Sequence, residues 1–307
     1  MAGKRVIVTG ATGLIGKAVC KALQARGYDV VVFSRDPESA RKKVPGAAEY
    51  VAWQPEDQGV WAGRVDGARA IINLAGASVA GRRWNDEYKR QIRDSRVVGT
   101  RGLVRAIEVA REKPQVLING SAIGYYGSRD ATPLDEGAAP GSDFLADLVR
   151  EWEAEALAAE AFGVRTALIR TGVVLDKNEG ALALQKLPFQ FFVGGPILPG
   201  TQWISWIHLA DEVGIILFAL EGDGVRGPIN ATGPAPQTSH DFSAALGHAL
   251  GRPSWLPVPG FALKVALGEF ADTVVTGQRV IPKKALEAGY EFQYGTSEAA
   301  LRAALGA

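Results

Sequence analysis

The stretch VIVTGATGLIGKAV, residues 6–19, constrains the fold more than any other part of the chain. A run of β-branched residues ends at Gly10, a helix-forming run begins near Leu14, and glycines in G-x-x-G-x-x-G spacing join the two. A strand that turns directly into a helix collects backbone N–H groups and the positive end of the helix dipole at one point, where phosphate binds. We therefore predict a dinucleotide-binding corner at this turn, with an ordinary tight turn as the alternative.

The three glycines of this corner have separate tasks. Gly10 permits the tight turn, Gly13 lets a diphosphate approach the backbone without a Cβ in the way, and Gly16 lets the helix pack closely on the sheet. Thr9 and Thr12 can add hydroxyl donors. The cofactor-binding residues predicted here are Gly10, Thr12, Gly13, Leu14, Ile15 and Gly16.

Short apolar runs alternate with amphipathic stretches along the first half of the chain, which is typical of a parallel sheet with helices on both faces. Strands are predicted at 5–9, 29–33, 50–53, 70–74, 116–120 and 165–175, and helices at 14–26, 85–111, 142–162 and 181–192. The fold class predicted is α/β: a doubly wound Rossmann sheet with a smaller α-rich or mixed C-terminal substrate domain. The Rossmann domain comprises 1–175 with 204–232 returning to it, and the smaller domain comprises 176–203 and 233–307.

Charge and cysteine usage exclude several classes of protein. Lysine and arginine total 34 against 33 aspartate and glutamate, so nothing indicates a global attraction to nucleic acid or to a membrane. The single cysteine, Cys20, and the strand pattern that starts at Arg5 favour a cytoplasmic protein without a secretory leader. No apolar run reaches the roughly 18 residues of a membrane span, and three scattered histidines show no metal-ligand spacing.

The second strand, DVVVFSRDPES, ends where the adenosine ribose of a Rossmann cofactor lies. Ser34 and the forked guanidinium of Arg35 suit a ribose 2′-phosphate, which an acidic residue would repel. We predict NADP, with Ser34 and Arg35 as ligands. NAD is the less favoured cofactor, because Asp36 could instead accept from its ribose 2′-hydroxyl. The structural alternative is that RDPES is only a solvated turn.

Several motifs together resemble the extended short-chain dehydrogenase/reductase superfamily. They are VTGATGLIG (8–16), NLAG (73–76), SAIGYYG (121–127) and WISWIHLADEVG (203–214). Three further segments are similar to an atypical branch described as NAD-dependent epimerase/dehydratase-like, in which some members carry a cell-division-inhibitor label and the tail is a small domain of unknown function. They are RRWNDEYKRQIRDSRVVGTRGLV (82–104), GPINATGP (227–234) and VTGQRVIPKKALEAGYEFQY (275–294).

The resemblance implies a cofactor lying over the sheet and a homodimer formed by the helices at 85–111 and 142–162. It places Ser121 near the nicotinamide, and the residues it places beside the adenosine are Asn73, Leu74, Ala75 and Gly76. The sequence pattern supports part of this placement. Residues 73–76 follow one predicted strand and Ser121 follows the next, and crevices form at the carboxyl ends of parallel strands. A turn at a helix start and a capping serine are the structural alternatives.

The superfamily's Tyr-x-x-x-Lys pair is absent, since none of the seven tyrosines has lysine four residues later. Proton transfer must then come from Tyr125, Tyr126, His208 or water, and Ser121 is the further catalytic candidate. Aromatic packing is the alternative for the tyrosines, and a packed histidine is the alternative for His208. Trp203 and Trp206 are either a substrate wall or core anchors. Lys89, Arg93 and Arg96 form a basic stripe that is a solvated face by default, although Arg96 could reach a substrate phosphate.

Together these features predict an NADP(H)-binding oxidoreductase or epimerase that acts on a small molecule, with nucleotide sugars as one possibility. The alternative is a non-catalytic NADP(H) sensor whose occupancy sets the position of the tail domain for a protein partner. That alternative accounts for the missing Tyr-Lys pair.

Overall fold

The computed structural model describes residues 4–306, and a seven-stranded sheet forms its centre. The strands in chain order are β1 (Arg5–Thr9), β2 (Asp29–Ser34), β3 (Glu49–Ala52), β4 (Ala70–Asn73), β5 (Val116–Ala122), β6 (Arg165–Thr171), β7 (Val173–Leu175), β8 (Trp203–Ile204), β9 (Trp206–His208), β10 (Gly227–Ala231) and β11 (Gln237–Thr238). The central sheet has the order β10-β6-β5-β4-β1-β2-β3, and every neighbouring pair is parallel. The strand order reverses between β1 and β4, so their carboxyl ends open the crevice in which such sheets bind ligands.

Helices cover both faces of this sheet. They are α1 (Leu14–Ala25), α2 (Pro37–Lys43), α3 (Asp86–Val109), α4 (Phe144–Leu157), α5 (Gly180–Gln190), α6 (Leu209–Glu221), α7 (Ser239–Leu250), α8 (Gly260–Leu267), α9 (Ala271–Val275), α10 (Lys283–Glu287) and α11 (Ser297–Leu305). Successive residues of a strand point to opposite faces, so Val6 and Val8 of β1 pack with α1 and α6 while Ile7 packs with α3 and α4. Both faces are therefore apolar, which is why the strands show continuous apolar runs.

One local prediction is wrong in detail, and one structural alternative does not hold. The predicted strand 165–175 is broken at Gly172, where a Cβ would overlap the carbonyl of Ser205, and β7 leaves the main sheet to pair with β9. The RDPES segment is not a solvated turn but begins α2, because the Asp36 carboxylate accepts the Ser39 N–H at 3.0 Å and caps the helix.

The later part of the chain is mostly helical and packs on the end of the sheet. Leu175, Trp206, Phe242 and Leu301 share one buried cluster, which joins β7 and β9 to α7 and α11. The extended segment 277–282 crosses from this region to the loops that follow β5, where the Leu134 N–H donates to the Arg279 carbonyl at 2.8 Å. The chain after residue 232 thus reaches the crevice edge of the main sheet.

Candidate functional site

The glycine corner has the geometry of an anion cradle. Gly10 has a φ of +65°, and a Cβ there would lie 2.8 Å from the Ala75 nitrogen, so only glycine fits. At Gly16 a Cβ would lie 2.7 Å from the Ala11 Cα, whereas at Gly13 the nearest atom is 3.4 Å away. Gly10 and Gly16 therefore serve packing, and Gly13 leaves open space where a ligand would lie.

The helix that begins at this corner has no side-chain cap. Its N-cap residue is Gly13, and within residues 4–306 no acceptor bonds to the first-turn N–H groups of Leu14, Ile15 and Gly16. Three unpaired N–H groups at the positive end of a helix dipole suit a diphosphate. The residues present thus fit the phosphate bridge of a dinucleotide.

At the end of β2, the hydrogen bonds show which of Ser34, Arg35 and Asp36 are already bonded within the protein. Asp36 is committed to capping α2, and its N–H and carbonyl both bond the Ser34 hydroxyl. Arg35 is exposed and has no ion-pair partner in the described part of the chain. The one cation at this strand end is therefore available to a 2′-phosphate, while the acidic side chain is occupied.

The segment 73–76 lies against the glycine corner, but its first side chain faces the protein. The Asn73 amide donates to Thr100 Oγ1 at 2.9 Å and to Asn119 Oδ1 at 2.6 Å, and its oxygen accepts from Thr9 Oγ1 at 2.6 Å. Asn73 therefore fixes β1, β4 and β5 relative to one another. Leu74, Ala75 and Gly76 remain partly accessible, but the Leu74 and Ala75 N–H groups donate to Thr9 Oγ1, each at 3.2 Å, so a cofactor would contact the exposed surface of this segment rather than those N–H groups.

A buried ion pair beneath Ser121 was missed by the reasoning from sequence. The Ser121 hydroxyl donates to Glu153 Oε1 at 2.6 Å, and Arg170 binds the same carboxylate through Nε and Nη2, each at 2.8 Å. Neither charged side chain is more than 7% exposed. An arginine inside the apolar strand TALIRTG was the available signal, because a buried guanidinium requires an acceptor.

Arg170 also organises the two tyrosines. Its Nη1 donates to the Tyr126 hydroxyl at 3.0 Å, which in turn donates to Asn230 Oδ1 at 2.7 Å. Tyr126 is fully buried, and burial raises its pKa to about 12, so it has no surface for a substrate. Tyr125 is half-buried, with the Arg170 guanidinium carbon 3.5 Å from its ring centroid and no hydrogen bond to its hydroxyl within residues 4–306. Of the pair, only Tyr125 can present a phenol to a ligand.

His208 lies in a different environment from the tyrosines. Its Nδ1 accepts the Ala210 N–H at 3.1 Å and caps α6, and its ring centroid lies 4.0 Å from that of Tyr294. It faces an open groove of about 590 Å³ that is also lined by Lys21 and Ala25 of α1. Burial lowers the pKa of His208, which favours the neutral ring that the cap requires. The contacts of His208 are thus structural, and none of them involves Ser121 or Tyr125.

Three further side chains have clear environments. Trp206 is buried and its indole donates to the Ala235 carbonyl, so it anchors the core; Trp203 is half-buried with the Arg279 guanidinium over its ring. Glu212 accepts from Thr171 Oγ1 at 2.7 Å, but its Oε2 is buried without a partner among residues 4–306, and burial raises its pKa to about 8. The sequence analysis did not single out Glu212.

A parallel Rossmann sheet with an uncapped glycine corner defines a dinucleotide-binding protein of the short-chain dehydrogenase/reductase type. Residues 6–231 match the NAD dependent epimerase/dehydratase family, and residues 258–304 match a domain of unknown function, DUF1731. The chain belongs to that epimerase/dehydratase family. This confirms the fold class and the resemblance read from the motifs.

Two solved structures and one sequence relative illustrate the similarity. The chain is 43% identical over 97% of its length to the chloroplastic epimerase family protein SDR39U1 homolog of Arabidopsis thaliana, covering 86% of that protein. The structure of the human epimerase family protein SDR39U1 with NADPH has a TM-score of 0.87 at 32% identity, covering 98% of this chain and 99% of that one. A nucleoside-diphosphate sugar epimerase from Corynebacterium glutamicum has a TM-score of 0.78 at 31% identity, covering 98% of this chain and 58% of that one.

Within residues 4–306 no cluster of three or more histidine, cysteine, aspartate or glutamate side chains could hold a metal ion. No helix in the same part of the chain is both long enough and apolar enough to cross a bilayer.

Proposed function

We propose that this protein binds NADPH at the glycine corner and uses it in an oxidoreductase or epimerase reaction on a small molecule, with nucleotide sugars as the first class to test. The observation that carries the proposal is the set of three unpaired N–H groups at Leu14, Ile15 and Gly16, beside the backbone after β4. The NADPH present in the human relative's structure supports the same cofactor, as does the uncommitted Arg35. The similarity to a nucleoside-diphosphate sugar epimerase from Corynebacterium glutamicum supports the substrate class.

When bound, the nicotinamide supplies or accepts a hydride, and the chain must supply orientation and a proton. Tyr125 is the residue proposed to donate that proton to a carbonyl oxygen or to take it from an alcohol, because its hydroxyl is unbonded and its ring is held against Arg170. The Ser121 hydrogen is donated to Glu153, so Ser121 offers only lone pairs to a substrate hydroxyl. Glu153 and Arg170 are positioning residues in this scheme.

The second candidate function is an NADPH sensor that performs no chemistry. It is favoured by α4, where the positions matching the superfamily pair are Phe144 or Leu145 followed by Leu148 or Val149, none of which can transfer a proton. In that case the segment 277–282 would couple cofactor occupancy to a protein partner.

The deciding experiment follows deuterium. NADPH labelled at the transferable position is incubated with the protein and a panel of carbonyl compounds and nucleotide sugars, and NADP⁺ is incubated with substrates labelled at their carbinol carbons. Mass spectrometry is expected to show label moving between cofactor and substrate, and Tyr125→Phe is expected to slow transfer about a hundredfold or more. Tyr28→Phe, a partly buried tyrosine at the far end of α1, is the matched control and should transfer at the wild-type rate.

Two outcomes would count against parts of this proposal. If no label moves across the panel and no sugar inverts its configuration at a labelled carbon, while NADPH still binds tightly, the sensor is favoured. If Tyr125→Phe transfers as fast as Tyr28→Phe, the proton comes from another group, even though the reaction class stands.

We also propose a homodimer that pairs α3 and α4, and a reducing, cytoplasmic compartment. Exposed apolar side chains at the ends of these helices, Val109 and Leu157, support the first point. The second is supported by Cys20, a free thiol buried without a cysteine partner.

A further inference from the structure

Arg96 is a partly buried cation without a carboxylate partner in the described part of the chain. It lies on α3, where its Nη1 donates to the carbonyls of Ala77 and Ile92, each at 3.0 Å. Within residues 4–306 no carboxylate forms an ion pair with it, and burial lowers its pKa to about 10. Since a partly desolvated charge gains from an opposite charge, an anion from outside the chain would stabilise Arg96.

Two neighbouring arginines on the same helix, one on each side of Arg96, do have carboxylate partners. Arg93 pairs with Glu151 of α4 and Arg101 pairs with Glu155, so both of the more exposed arginines have carboxylates facing them. Between those two glutamates, α4 presents Trp152, whose ring centroid lies 5.2 Å from the Arg96 guanidinium carbon. Opposite Arg96, α4 therefore presents an indole ring, whereas opposite Arg93 and Arg101 it presents a carboxylate.

The guanidinium of Arg96 packs directly on Gly76. A Cβ on Gly76 would lie 2.9 Å from the guanidinium carbon, 3.2 Å from Nε and 3.1 Å from Nη2, and neither nitrogen has an acceptor in the described residues. Gly76 is itself exposed, so this part of the guanidinium lies at the edge of the crevice. Nε and Nη2 are the pair of donors that binds a carboxylate or phosphate through two parallel hydrogen bonds.

We propose that Arg96 is an anion-binding residue of the crevice and that it takes a phosphate or carboxylate group of the substrate, an assignment that rests on the proposed function. Gly76 follows β4, and Trp152 lies against Gly120, where a Cβ would be 3.1 Å from its ring. The anion would therefore bind between the carboxyl ends of β4 and β5, beside Ser121. The glycine corner already supplies its own N–H groups to a diphosphate.

The test uses inorganic phosphate as the probe and needs no turnover. Phosphate is titrated calorimetrically into the NADPH-saturated wild type, Arg96→Gln and Arg90→Gln. Arg90 is an exposed arginine on the same helix that has no ion pair within the described residues. Arg96→Gln is expected to weaken phosphate binding about tenfold or more with NADPH affinity unchanged, while Arg90→Gln changes neither. Because hydride transfer is not measured, failure of the proposed reaction would not affect this result.

A second variant guards against misfolding of Arg96→Gln. Gly76→Ala keeps the arginine in the chain but puts a methyl group 2.9 Å from its guanidinium carbon, so the guanidinium must shift, and a similar loss of phosphate affinity is expected. Unchanged phosphate binding in both variants, or no phosphate binding by the wild type, overturns the proposal. A loss of NADPH affinity in Arg96→Gln with phosphate binding intact overturns the substrate assignment and gives Arg96 to the cofactor.

Discussion

At the scale of single residues, the environment of a charge decides what it does. Glu151 and Glu153 lie two positions apart on α4, yet Glu151 pairs with Arg93 at the surface while Glu153 is buried against Arg170. Surface pairs contribute little to stability because water and salt screen them. A buried pair contributes little net stability when intact, but removing one partner leaves the other charge uncompensated.

This difference predicts unequal effects of the same substitution. Glu153→Gln should lower the free energy of unfolding by about 3–5 kcal/mol, because Arg170 stays charged inside the protein. Glu151→Gln, the matched control, should lower it by about 1 kcal/mol or less. Urea denaturation at neutral pH measures both. Equal losses would mean that Arg170 is solvated, and the positioning role of the pair would have to be abandoned.

At the scale of elements, the glycines of the β1–α1 corner have two different tasks. Gly10 and Gly16 are needed for packing, whereas Gly13 is needed for ligand access. Gly10 and Gly16 face backbone atoms at distances that exclude a side chain, whereas a Cβ on Gly13 would contact only the Gly10 carbonyl oxygen, at 3.4 Å. The equal spacing of the three glycines in sequence conceals this difference. It becomes visible only when helix and strand are packed together.

Two alanine substitutions should therefore have opposite consequences. Gly13→Ala is expected to fold with a loss of about 1 kcal/mol or less but to bind NADPH about tenfold or more weakly, because its methyl group occupies ligand space. Gly16→Ala should lose about 1–3 kcal/mol of stability by overpacking against the turn. Thermal unfolding and a fluorescence titration with NADPH distinguish the two. A Gly13→Ala protein with wild-type NADPH affinity would exclude this corner as the diphosphate site.

At the scale of the whole molecule, the tail reaches the loop that carries Tyr125. Gln278 Nε2 donates to the Ile123 carbonyl at 2.9 Å, and Val280 packs against Tyr126 and Leu134. Ser205 bridges the same segment to the core by donating to the Gln278 carbonyl at 2.8 Å. The tail thus braces the loop after β5, which is a structural reason for the C-terminal domain to accompany the sheet.

Loosening this brace should be measurable without any substrate. Gln278→Leu removes one hydrogen bond and is expected to raise amide hydrogen exchange in residues 121–127 about fivefold, since a neutral hydrogen bond contributes roughly 1 kcal/mol. Gln293→Leu changes an exposed glutamine elsewhere in the tail and is the control. If both variants exchange alike in this loop, the tail does not hold it in place.

The sequence by itself determined the sheet, the glycine corner and the helices that follow the strands, because strand alternation, glycine conformation and helix periodicity act between near neighbours in the chain. It also indicated the vicinity of Ser121 and Tyr125. Only the tertiary structure paired Glu153 with Arg170, 17 residues apart, and Tyr126 with Asn230, 104 residues apart. The reason is physical: whether a polar side chain is bonded, buried or free depends on groups that folding brings from distant segments, and for that reason Tyr126 and Asn73 face the protein while Arg96 is left with an unbonded edge.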